Sequence, residues 1–175
     1  MRTWLPTLMV LTVVGQDARS VEACEDKFLL VGRGTRFQRA YAAIHPASIV
    51  VYAQPQRRAA KAIRDPRLQA DLKLAGHRVL VAEDETALGR ALDSGSVDLV
   101  LTDVADAERV VKRAESSLAR PAVLPVMHEP TKEEAKEVEA RYMCHLTSSD
   151  RAGRYLMAID DAMKVRAGQK KKATS

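Results

Sequence analysis

Residues 76–104 read GHRVLVAEDETALGRALDSGSVDLVLTDV, and this stretch decides the fold. Arg78-Val79-Leu80-Val81-Ala82 is an apolar run of strand length. After it, Ala87, Leu88, Ala91 and Leu92 fall at helical spacing, and Gly95 closes that helix. Residues 97–103, VDLVLTD, form the clearest strand of the chain, an apolar run that ends in an acid. A strand, a helix and a second strand in this order make a βαβ unit, with the strands parallel and the helix crossing one face. Between the first strand and the helix stand Glu83-Asp84-Glu85, where Asp84 or Glu85 suits the helix cap better than a metal site.

The same alternation continues outward. Upstream, residues 48–53 (SIVVYA) predict a strand, and residues 56–75 predict a long helical stretch. Asp65-Pro66 bends or breaks that stretch, because proline removes a donor and crowds the preceding turn, and Gly76 suits its C-terminal cap. Further upstream, residues 27–31 (KFLLV) predict a strand stopped by Gly32-Arg33-Gly34, and Phe37, Ala40, Tyr41 and Ile44 predict a helix ended by His45-Pro46. Downstream, Val110, Val111, Ala114 and Leu118 stripe one helix. Residues 122–127 predict a strand, and Pro125 within it predicts an edge position or a bulge. Thr131 and Glu134 form a capping box that opens a helix with Ala135, Val138 and Tyr142 inward. Residues 142–146 predict a last short strand, and Leu156, Ile159 and Met163 face the core from a final helix. The expected class is α/β, a three-layer parallel sheet with helices on both faces. Residues 26–46 add an N-terminal strand-helix unit before a core of residues 48–165.

Composition limits function. Aromatic residues are 4% of the chain, so the core has to be aliphatic. The net charge is +5, but residues 164–175 hold five cations and no anion, so the rest of the chain is neutral. The segment 166–175 reads as a disordered basic tail rather than a nucleic-acid interface, since no aromatic side chains interleave its cations to stack on bases. No nucleic-acid partner is expected. His45, His77, His128 and His145 show no ligand spacing, so neither a metal nor a cofactor is expected. Gly32-Arg33-Gly34 lacks the third glycine of a dinucleotide fingerprint and reads as a tight turn.

The N-terminus carries a separate signal. Arg2 precedes the apolar run Trp4-Leu5-Pro6-Thr7-Leu8-Met9-Val10-Leu11-Thr12-Val13-Val14, and Val21-Glu22-Ala23 resembles a small-x-small cleavage site before Cys24. The run is too short to span a bilayer. Residues 1–23 therefore read as a secretory signal peptide, with residues 24–165 as the mature domain in the periplasm or outside the cell and no membrane association after cleavage. The alternative is a cytoplasmic protein whose N-terminal run is an ordinary strand. Cys24 and Cys144 are the two cysteines, and export implies a disulfide between them.

The stretch 76–104 resembles the receiver domain of bacterial response regulators, a flavodoxin-like fold, and the rest of residues 48–165 follows the same βα order. The resemblance places Asp103 at the phosphoacceptor position. It also implies acids after the first strand to hold Mg²⁺, a Ser or Thr after the fourth and a Lys after the fifth. Here those places hold Ala53-Gln54-Pro55, Val126-Met127-His128 and Leu146-Thr147-Ser148. Asp103 stands without its helpers, and the alternative roles are that it ends a strand and orders the next loop while Asp106 caps the helix beyond. No catalytic residue is expected. The expectation is a non-catalytic, pseudo-receiver-like module, exported, that binds a protein partner or a small ligand. The competing readings are a divergent cytoplasmic phosphorelay receiver phosphorylated on Asp103 and a small solute-binding domain. Topology puts a ligand near Ala53, Asp103 and Met127.

Overall fold

The computed structural model describes residues 43–142 and 144–173. Five parallel strands form one sheet: β1 (Ser48–Tyr52), β2 (Arg78–Ala82), β3 (Leu99–Asp103), β4 (Ala122–Met127) and β5 (Leu146–Thr147), in the order β2-β1-β3-β4-β5. Six helices join and cover them: α1 (Ala60–Ile63), α2 (Pro66–Leu74), α3 (Glu85–Asp93), α4 (Val104–Glu115), α5 (Lys132–Arg141) and α6 (Ala152–Ala173). This is the three-layer α/β class expected, with a strand order compatible with flavodoxin-like folds. The expected strand-helix unit at 26–46 lies almost wholly outside the described residues, as do the segment 1–23, Cys24 and the Gly32-Arg33-Gly34 turn.

Strand position explains strand composition. All residues of β1 and β3 are buried, because these central strands are covered on both faces and can be apolar throughout. One face packs Ile49, Val51, Leu99, Leu101, Leu124 and Val126 against Ile63 and Leu72 of α1 and α2 and Tyr155 and Ile159 of α6. The other packs Val50, Tyr52 and Val100 against Leu88 and Leu92 of α3 and Val110 of α4. Each fully buried Leu or Ile contributes roughly 1.5–3 kcal/mol, so these two layers dominate stability. β2 is an edge strand, and Leu80 and Val81 stay exposed there.

The helix boundaries follow their local chemistry. The stretch from 56 to 75 breaks at Asp65-Pro66 into α1 and α2, with Pro66 at the first position of α2 and Asp65 accepting from the Arg67 amide at 2.8 Å. Gly76, at φ +102°, ends α2 in a Schellman turn, with His77 N–H on Leu72 O and Gly76 N–H on Lys73 O. Asp84 caps α3 by accepting from Ala87 N–H at 2.7 Å, while its neighbours Glu83 and Glu85 pair with Arg64 and Arg109. Thr131 and Glu134 form both bonds of the capping box.

Three expectations are corrected. Residues 142–146 are not the last strand: Tyr142 N–H still bonds Val138 O at the end of α5, and β5 is only Leu146–Thr147. β4 is not an edge strand. It lies between β3 and β5, and Pro125 is tolerated because β5 pairs only with Val126 and Met127, leaving β4 without a neighbour on that side at the proline. The basic segment 166–175 does not begin as a disordered tail: α6 runs through Ala173, and Arg166 is held by Asp98 Oδ1 at 2.5 Å and Ala119 O at 2.7 Å.

Candidate functional site

In a parallel sheet the C-terminal strand ends collect the loops that can vary in chemistry without disturbing the core. Here that end is a network of charges. β3 delivers Asp103, which is 4% exposed, to its last position. Its side chain caps α4, with Oδ1 accepting from Ala105 N–H at 2.9 Å. Oδ2 accepts from Ala59 N–H at 2.8 Å, in the loop that follows β1. Both oxygens are thus directed to backbone donors, one in the loop after β1 and one in the first turn of α4. Hydrogen bonds to a charged acceptor contribute about 1.5–3 kcal/mol each, which offsets the burial of the carboxylate.

Asp103, not Asp106, is therefore the cap of α4, which corrects that expectation. Asp106 sits one turn into the helix and is 1% exposed. Arg57 grips it side-on, Nε to Oδ2 at 2.7 Å and Nη2 to Oδ1 at 2.5 Å, and Arg109 Nη2 reaches the same Oδ1 at 2.6 Å. The hydrogen bond to Asp106 is the main cause that raises Arg57 above its ordinary pKa, so this guanidinium stays charged. Arg109 also pairs with Glu85. Its Nη2 lies 3.3 Å from Tyr52 Oη, and its guanidinium stands 6.0 Å from the centroid of the Tyr52 ring, within cation–π range. Gln54 Nε2 donates to the same hydroxyl at 2.6 Å. The place after β1 where the resemblance called for acids is thus held by Ala53-Gln54-Pro55, and two residues further on Arg57 is bound to a buried carboxylate.

The ends of β4 and β5 also meet. His128 Nδ1 lies 2.8 Å from Ser148 Oγ, and Ser148 N–H is anchored on Met127 O at 2.7 Å. These two residues occupy the positions where the resemblance called for a hydroxyl and a lysine, and they bond to each other instead. Glu129, the acid beside His128, stands 3.9 Å from Nε2, too far to orient the ring as the third member of a triad. Among the described residues no three His, Cys, Asp or Glu side chains gather as a metal-binding group.

A cleft of about 470 Å³ opens between the start of α4 and α5, with Asp103, Met127, His128, Val138 and Tyr142 in its walls. Burial raises the pKa of Tyr142 there. Two of the residues expected near a ligand, Asp103 and Met127, border the cleft, while Ala53 is fully buried in the core. Cys144 is half-buried beside the core ahead of β5, and Cys24 lies outside the described residues.

Sequence reading missed the Arg57–Asp106–Arg109 cluster and the His128–Ser148 pair. The first had a faint signal, since Asp106 and Arg109 are three apart on a helix, but Arg57 comes from a loop far away in sequence. No family model, curated protein or solved structure matches this chain.

Proposed function

We propose that the protein is a receiver-like module that does not take phosphate on Asp103 and acts by binding a partner or ligand at the C-terminal end of its sheet. The observation that carries this reading is the engagement of both Asp103 oxygens by the amides of Ala59 and Ala105. Attack on a phosphodonor requires a carboxylate oxygen free to approach phosphorus, with a cation to neutralise the incoming oxygens. At this carboxylate, attack by either oxygen gives up a backbone bond, to the loop after β1 or to the first turn of α4. Arg57 and Arg109, the arginines nearest the start of α4, are held on Asp106. The carboxylate is therefore used as a structural tie between the loop after β1 and the start of α4.

Export to an oxidising compartment, with a Cys24–Cys144 bridge pinning the mature N-terminus beside β5, belongs to the same proposal. It rests on the N-terminal apolar run and the two cysteines of the sequence.

The test is incubation of the purified full chain with a small acyl phosphate and Mg²⁺, followed by intact mass. The expected result is an unchanged mass. A phosphoryl adduct that hydroxylamine removes and that Asp103→Asn abolishes would overturn the reading in favour of a phosphorelay receiver.

A further inference from the structure

A second and larger opening lies beside the first. It measures about 850 Å³ and runs between the α1–α2 segment and the ends of β4 and β5. Arg58, Lys61, Arg64 and Arg67 line one wall, and His128 and Ser148 line the other. The four cations come from consecutive short pieces of chain, Arg58 from the turn before α1, Lys61 from α1, Arg64 from its C-cap and Arg67 from the first turn of α2, and all four border this one opening. We propose that this cleft binds a small molecule through a phosphate or pyrophosphate group.

The charge balance of the cleft supports this. Arg64 is the one cation of the four that pairs with a carboxylate, Glu83. Arg58, Lys61 and Arg67 form no ion pair among the described residues. The acid on that wall, Asp65, already accepts from the Arg67 amide as the cap of α2. Three like charges on one wall repel each other, and an anion between them removes that repulsion as well as gaining its own contacts. Guanidinium groups suit phosphate because their N–H donors match its oxygens in pairs. On the opposite wall, His128 can donate from Nδ1 to Ser148 Oγ. The serine hydroxyl hydrogen is then free to donate to a ligand oxygen. The cleft thus offers cations on one side and a neutral donor on the other. That is a better match for a compact anion than for an extended polymer, because among the described residues no aromatic side chain lines it to stack on bases.

This proposal rests on the reading of the protein as a binding module, and it fails separately from it. The experiment is calorimetric titration of the full chain with inorganic pyrophosphate, then with orthophosphate, and then with a single-stranded oligonucleotide. The expected result is saturable binding of pyrophosphate, tighter than orthophosphate. Arg58→Ala with Arg67→Ala should weaken it at least tenfold, and Ser148→Ala should weaken it several-fold. Lys136→Ala, an exposed cation on α5 outside the cleft, should leave it unchanged. Arg58 and Arg67 are exposed, so circular dichroism of the double variant should match the parent. The proposal is overturned if pyrophosphate does not bind, if Lys136→Ala weakens binding as much as the double variant, or if only the oligonucleotide binds and pyrophosphate fails to compete. A phosphoryl adduct on Asp103 would sink the previous proposal alone. Absent pyrophosphate binding with Asp103 unlabelled would sink this one alone.

Discussion

The side chain of Asp103, at the end of β3, accepts a hydrogen bond at 2.8 Å from the backbone amide of Ala59, forty-four residues earlier in the chain. With the second bond to Ala105 N–H, this carboxylate joins the loop after β1 to the start of α4. A role of that kind makes demands on the residue that a phosphoacceptor role does not.

Asp103→Asn is the first case. Asparagine has one acceptor oxygen and an NH₂ group, so one of the two backbone donors would face another donor. A buried donor left unsatisfied costs about 1–3 kcal/mol. The expected outcome is a lower melting temperature, by roughly 2–4 °C for each kcal/mol lost in a chain of this size. Differential scanning calorimetry measures it, and an unchanged melting temperature would argue that neither bond matters to the fold.

The arginines around Asp106 should act together. Arg57→Ala alone leaves Arg109 on the carboxylate, and Arg109→Ala alone leaves Arg57, so each single change should cost about 1–2 kcal/mol. The double change leaves a carboxylate that is 1% exposed with no cation in contact. Its expected cost is about 3–5 kcal/mol, as for other buried charges stripped of partners. Urea unfolding of the four proteins gives the coupling, and strictly additive losses would count against a shared role.

His77 makes the stability depend on pH. It is 4% exposed, its Nδ1 accepts from Ala47 N–H at 3.1 Å, and its Nε2 has no partner among the described residues. Burial lowers its pKa from the ordinary 6.5, and Asp160 on α6 opposes that shift. The unfolded chain therefore takes up a proton at a pH where the folded one does not. His77 gives its full contribution above pH 6.5, and stability falls as pH drops below that value toward the lowered one. Melting temperature should decline as pH is lowered below 6.5. His77→Asn, which keeps an acceptor for Ala47, should flatten that slope. An identical slope would assign the pH dependence to other groups.

Intact mass of protein expressed from its own first methionine in a Gram-negative host examines export and the cysteine bridge. The expected species lacks the segment before Cys24 and gains two hydrogens on reduction. An uncleaved chain with two free thiols would return the protein to the cytoplasm.

Much of the fold was legible because it depends on local patterns. The apolar runs at 48–53 and 97–103 are continuous because β1 and β3 are buried on both faces, a direct imprint of a parallel sheet, while the run at 78–82 marks an edge strand whose Leu80 and Val81 stay exposed. Asp65-Pro66, Gly76, Asp84 and Thr131 mark helix ends by chemistry that works within four residues. The short β5 was misplaced because two residues carry almost no period, and Arg166 was assigned to a solvated tail because its partners, Asp98 and Ala119, are remote in sequence. The site was less legible for the same reason. Arg57 with Asp106, and His128 with Ser148, meet only after the sheet is assembled. The cations at 58, 61, 64 and 67 stand in the sequence, but only the fold brings them to one opening opposite His128 and Ser148.

The central claim is that Asp103 is a backbone tie and not a phosphoacceptor. Titration with beryllofluoride and Mg²⁺, which together mimic an acyl phosphate on an accessible aspartate, tests it through the amide resonances of Ala59 and Ala105. The claim predicts that both resonances stay in place, because neither bond to Asp103 is given up. Saturable shifts of both amides, absent in Asp103→Asn, would contradict it.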